Sequence, residues 1–123
     1  MAPWSLAVPL LSVALPLLTA WVFLDASVAV NGHAAPPLDD TYIYFQYAAN
    51  LAGGDLFAWL PGGPYTTGAT SLLYVVPLAV AYLFGAQGLA LYTVAWGLGL
   101  VAFAGTLWIL GRWIERELGL GPA

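Results

Sequence analysis

The sequence predicts an all-α membrane protein with about three transmembrane helices and a juxtamembrane amphipathic helix in the first loop. Three observations lead there. Apolar residues make up 62% of the 123 and charged residues 7%, against roughly a quarter charged in a soluble domain. Long apolar runs dominate the two ends, and the stretch between them, about 26–69, gains prolines (Pro36, Pro37, Pro61, Pro64), glycines and polar residues. With no cysteine, disulfides and thiolate metal sites are excluded. Two arginines and no lysine provide no basic patch, which excludes a nucleic-acid partner.

The first span is expected over about 4–24, from Trp4 to Leu24, and carries no charge. Pro9 and Pro16 interrupt its hydrogen bonds, as membrane helices tolerate. No Lys or Arg precedes this run, so a retained span is favoured over a cleaved signal sequence. Asp25 stands at its end. The loop 26–69 is long for a helix connection and therefore reads as functional. Within it a helix is expected over about 40–52, with Asp39 or Asp40 as its N-cap and Gly53-Gly54 as its stop. Ile43, Tyr47 and Leu51 recur at i, i+4 and i+8 and put an apolar stripe on one face. Tyr42, Tyr44 and Phe45 add rings beside it, which suits the headgroup layer.

A Pro-Gly turn at Leu60–Tyr65 follows, then Thr66-Thr67-Gly68-Ala69-Thr70-Ser71, where Thr70 or Ser71 is expected to cap the next helix. The second span, about 68–84, is short and contains Pro77. The third, about 89–110, is the cleanest. Gly85–Gly88 between them is short enough to force an antiparallel hairpin. Ala95 and Gly99 form a small-xxx-small pair that would admit another helix, although an Ala/Gly-rich helix produces such pairs by chance. Arg112–Glu117, with Trp113, reads as an interfacial end.

Asp39-Asp40 is the main chemical candidate. Only one acid can cap a helix, for about 1 kcal/mol, so the second is left over. Two carboxylates at a membrane surface could take a proton from a hydroxyl or amine, or hold a divalent cation against a phosphate. The residues alone leave both open, with the metal unknown. Tyr42, Tyr44, Thr67, Thr70 and Ser71 are candidate substrate contacts, since rings and hydroxyls here cluster at the mouth of a span. His33 has no second His or Cys to complete a zinc site, and neither it nor Asp25 is given a role.

Asp39-Asp40-Thr41-Tyr42-Ile43-Tyr44-Phe45-Gln46-Tyr47, running on to Gly53-Gly54, then Pro61-Gly62-Gly63-Pro64 and Thr67-Gly68-Ala69-Thr70-Ser71, resembles the first non-cytoplasmic loop of the C-type glycosyltransferases. These polytopic enzymes include protein mannosyltransferases and aminoarabinose transferases. The match covers roughly Pro37 to Phe84. The resemblance implies sugar transfer from a polyprenyl-phosphate-linked donor to an acceptor, with inversion at the anomeric carbon. It implies Asp39 as catalytic base and Asp40 as its helper, through a metal or through loop structure. Relatives often carry an arginine in the juxtamembrane helix, where this chain has Gln46 and Ala49.

By the positive-inside rule, Arg112 and Arg116 would put the Asp pair in the cytoplasm. The resemblance implies the reverse, with loop 26–69 on the non-cytoplasmic side of the plasma (inner) membrane. It outweighs two arginines offset by glutamates. Family members have many more spans. Residues 1–123 therefore read as the N-terminal membrane region of a larger polytopic protein, or one subunit of a split one. They need the remaining helices of the same or a partner chain and are expected to be inactive alone. Expected partners are membrane lipid and the polyprenyl-phosphate-linked donor. The alternative is a small non-enzymatic membrane scaffold or assembly subunit, with the Asp pair only a helix cap.

Overall fold

The computed structural model describes residues 7–117 and has four α-helices among them: α1 (Ala7–Asn31), α2 (Asp40–Ala52), α3 (Leu72–Leu83) and α4 (Leu89–Glu117). The chain divides into two compact units, one made of residues up to Ala34 and from Gly97 onward, the other of Ala35–Trp96.

In the first unit, α1 has 25 residues and, at about 1.5 Å per residue, measures roughly 37 Å. The expected span 4–24 began earlier, at residues outside the described ones, and ended too soon. Asp25 lies inside α1, exposed, and the loop starts at Gly32 rather than at 26. A charge ends an apolar run without ending a helix. Ala26–Asn31 contains no Pro or Gly, so the ladder runs on until Gly32. Its φ of +75° and its N–H bond to the Val28 carbonyl (2.8 Å) close the helix in left-handed geometry. The Asn31 amide also donates to the Ser27 carbonyl at 3.0 Å.

Leu10–Asn31 and Leu89–Glu117 are long and apolar enough to cross a membrane, and only 11% and 6% of their apolar windows are buried. A helix that is apolar all round needs a cover of protein or lipid. Arg112 and Glu115, expected in an interfacial stretch, belong to the last turns of α4. They pair at 2.9 Å, with Glu115 buried.

In the second unit, α2 packs on α3. Phe45, Tyr47 and Ala48 of α2 are buried with Val75, Leu78 and Ala79 of α3, which recur at i, i+3 and i+4. Leu91, Tyr92 and Ala95, from the first turns of α4, are buried too. The stripe expected to lie on headgroups is therefore partly internal. Tyr47 is 1% exposed, while Ile43 and Leu51 are half-buried.

At 12 residues, α3 measures about 18 Å, short of the roughly 30 Å hydrocarbon layer. The expected span 68–84 is thus corrected to a helix too short to cross. Residues 68–71 stay outside it because Ser71 is extended (φ −115°, ψ 83°) and Gly68 is tied elsewhere. The turn after α3 runs through Gly85 (φ +90°) and Gly88 (φ +54°), with the Gly85 N–H on the Tyr82 carbonyl at 2.9 Å. Across the turn, the Tyr74 hydroxyl donates to the Ala95 carbonyl at 3.1 Å. Ala95 is thereby covered from within the chain, whereas a Cβ added at Gly99 would meet nothing within 4 Å.

The buried Tyr92 hydroxyl has no hydrogen-bond partner among the described residues. Leaving a buried polar group unpaired costs about 1–3 kcal/mol. Tyr92→Phe, which removes only that oxygen, is expected to leave the thermal midpoint unchanged or raise it. A lower midpoint would mean that the hydroxyl has a partner.

Candidate functional site

The start of α2 positions the acid pair. The Thr41 N–H donates to the Leu38 carbonyl (3.4 Å) and the Tyr42 N–H to the Asp39 carbonyl (2.8 Å). Asp39 holds the cap position, yet its backbone is already helical (φ −65°, ψ −27°) and its side chain makes no capping bond. A working cap has extended backbone, which lets its oxygen reach the N2 or N3 amide. The cap expected of the pair is therefore absent, and Asp40 is the first residue of the helix itself. Both carboxylates are exposed. Adjacent helical residues lie about 100° apart around the axis, so the two acids fan outward. Asp40 shares a face with Tyr44 and Tyr47, at i+4 and i+7.

One turn along, Tyr44 and Thr70 come together, their hydroxyls 2.7 Å apart. The Tyr44 ring also meets Tyr74 edge-on, with centroids 5.5 Å apart. Tyr42 lies 57% exposed, its ring edge-on to Phe45 at 5.9 Å. Thr67 and Ser71 are exposed and take no part in the Tyr44–Thr70 contact. The helix cap expected from Thr70 or Ser71 is not formed. The Thr70 hydroxyl is engaged with Tyr44, and Ser71, at the cap position of α3, makes no side-chain capping bond.

Behind this edge, two side chains of α2 clamp the loop that follows. The Tyr47 hydroxyl accepts the Gly68 N–H at 3.0 Å and pairs with the Thr66 hydroxyl. The Asn50 amide donates to the carbonyls of Ala58 and Trp59, both at 2.8 Å, and its oxygen accepts from Gln46 at 3.2 Å. Trp59 lies against the Tyr47 ring, centroids 5.9 Å apart. Across the loop Ala58 and Tyr65 form an antiparallel bridge. Phe57, left-handed at φ +49° and so unusual for an aromatic residue, accepts the Thr66 N–H at 2.9 Å.

Gly68 tests the clamp. A Cβ there would stand 2.8 Å from the Tyr47 hydroxyl and 3.3 Å from its ring, and Tyr47 is buried and bonded on both sides. Gly68→Ala is expected to lower stability by about 1–3 kcal/mol, the usual cost of overpacking, read as a lower denaturation midpoint. An unchanged midpoint would mean that the loop is not held there.

The sequence marks Tyr47 only as part of the apolar stripe and assigns no role to Asn50 or Asp55. Asn50 did carry a signal: an amide three residues after Tyr47, on the same side of α2 as the apolar stripe. A buried amide requires partners.

For a cation, the donor set is small. Among the described residues no three His, Asp or Glu side chains cluster. Ca²⁺ takes six to eight oxygens, whereas Mg²⁺ is often held by one or two carboxylates together with water and a substrate phosphate. The pair fits only the second pattern. His33 is exposed and, like Asp25, takes no part in the clamp. Comparison with protein-family models, with curated proteins and with solved structures returns no match.

Proposed function

We propose that this chain carries the acid-bearing loop of an integral-membrane glycosyltransferase of the C type. It would move a sugar from a polyprenyl-phosphate donor to an acceptor on the non-cytoplasmic face of the plasma (inner) membrane. The acceptor oxygen attacks the anomeric carbon, the bond from that carbon to the phosphate oxygen breaks, and polyprenyl phosphate leaves. Asp39 takes the acceptor's proton and Asp40 assists. Tyr44 and Thr70, one turn along α2, offer paired hydroxyls to the substrate.

The observation that carries this reading is the unused carboxylate of Asp39. It stands exposed at a helix start without making a capping bond, so the only structural role left to it is the attraction of its charge to the helix dipole. The order of motifs from the acid pair to Ser71 supplies the chemistry. The exposed apolar sides of α1 and α4 support the second reading, a scaffold subunit whose helices pack on a partner.

The test is transfer of a labelled sugar from polyprenyl phosphate in membrane vesicles in which this chain is present together with the remaining helices of the same or a partner chain. Transfer is expected, and Asp39→Asn combined with Asp40→Asn should abolish it. Undiminished transfer in the double variant, or none dependent on the protein, would leave the scaffold reading in its place.

A further inference from the structure

Away from the acid pair, the loop between α2 and α3 shapes an open cleft of about 490 Å³, lined chiefly by Gly54, Asp55, Leu56, Gly62, Gly63 and Tyr65. That volume falls within the roughly 300–1,000 Å³ of small-molecule sites. Asp55 is half-buried, and one of its oxygens, Oδ2, accepts the Gly62 N–H at 3.0 Å. Its other oxygen accepts no hydrogen bond from the described residues. Tyr65 is 79% exposed, a large ring standing in solvent.

The ring is nevertheless on a fixed backbone. Tyr65 is bridged to Ala58, the next residue bonds to the Phe57 carbonyl, and the Ala58 carbonyl is held by the buried Asn50. Gly54 and Gly62 are left-handed (φ +97° and +68°), and a Cβ at either would meet nothing within 4 Å. The walls there are bare backbone with room beside them.

These features select a ligand class. The one charged side chain lining the cleft is a carboxylate, with no cation beside it, which disfavours phosphates and other anions. A single carboxylate holds a cation such as Mg²⁺ only with the help of a phosphate, which this cleft disfavours. An exposed aromatic face beside a free carboxylate oxygen suits a ring with one C–H face and a rim of hydroxyls. The face packs on the aromatic ring, and neighbouring hydroxyls donate to the carboxylate in charge-assisted bonds. We propose that this cleft binds a neutral saccharide through Tyr65 and Asp55. The assignment is separate from the acid pair and does not rest on its role as a base.

The full chain in phosphatidylcholine nanodiscs, which carry no sugar headgroups, provides the test. Saturation-transfer NMR with methyl α-mannopyranoside and methyl α-glucopyranoside is expected to show saturable binding to at least one, with Kd of about 1 mM, as for a small polar ligand. Tyr65→Ala and Asp55→Asn should each weaken binding about tenfold, a single-contact loss. Tyr65→Phe should bind as the wild type does, because it keeps the ring. Asp55→Asn still offers an oxygen to the Gly62 N–H, so its effect would report the lost charge rather than a collapsed loop.

Absence of saturable binding to either glycoside would overturn the proposal. So would binding that is unchanged in both Tyr65→Ala and Asp55→Asn. The same sugar carried on polyprenyl phosphate in the disc separates the two sources of ligand. Displacement of the free glycoside by it identifies a lipid-linked sugar, and the lack of displacement a soluble one.

Discussion

Replacing Asp39 by asparagine is expected to lower sugar transfer about 100-fold or more, the usual contribution of a positioned base, while the amount of folded protein stays normal. The two halves of that expectation have different origins. Asparagine has the same shape as aspartate but cannot take up a proton at neutral pH. At the start of α2 little else is lost, because the Asp39 side chain makes no capping bond and is exposed, which leaves only a screened attraction to the helix dipole of about 0.3–1 kcal/mol. Surface changes of that kind hardly alter stability. Asp40→Asn should lower transfer less, since its role is to assist. The measurement is initial rate in vesicles, normalised to folded protein. A normal rate in Asp39→Asn would sink the base assignment, and a loss matched by loss of folded protein would make the carboxylate structural.

The second large effect is expected at Asn50. In Asn50→Asp the shape is kept but the donors to the Ala58 and Trp59 carbonyls are replaced by a carboxylate, which faces two acceptors. Asn50 is 6% exposed, and orphaning buried groups costs about 1–3 kcal/mol each, more when charge is involved. We expect a loss of about 3 kcal/mol or more in the stability of this unit. Asn50→Ala, which removes the donors without adding charge, should fall between it and the wild type. Denaturant titration followed by Trp59 fluorescence would report both. Equal stability of Asn50→Asp and the wild type would mean that the amide does not hold the loop.

α2 was legible in the sequence because its signals are local. The acid pair precedes it, Gly53-Gly54 follows it, and the helix runs Asp40–Ala52 against an expected 40–52. The end of α1 is not legible in the sequence, because the apolar run breaks at Asp25 whereas the backbone needs no apolar residue to continue. The length of α3 was misread for the opposite reason. Apolar composition counts residues such as Ala69, which is buried but lies outside the helix. The clamp was beyond a pattern reading. Periodicity places Tyr47 on an apolar stripe suited to headgroups, but its pairing with Thr66 joins residues 19 apart, and no periodicity encodes a hydroxyl pair across a loop. For the cap, residue type was right and backbone geometry was not. Aspartate is a common cap, yet Asp39 is wound into the helix, and this difference turns an apparent structural acid into a free one.

The clamp also has a kinetic meaning. Its ties join residues separated by 8, 19, 21 and 26 positions: Asn50 to Ala58, Tyr47 to Thr66, Tyr47 to Gly68, Tyr44 to Thr70. The entropy of closing such loops grows only slowly with their length, and a ten-residue loop closes in roughly 10–100 ns. Everything the ties require has been synthesised by Thr70, well before α4 exists. The segment is therefore expected to take its shape during synthesis, so that the first turns of α4 arrive at a surface already built. Early protection of the Gly68 amide in pulse-labelled hydrogen exchange would record that order, and protection appearing only with α4 would reverse it.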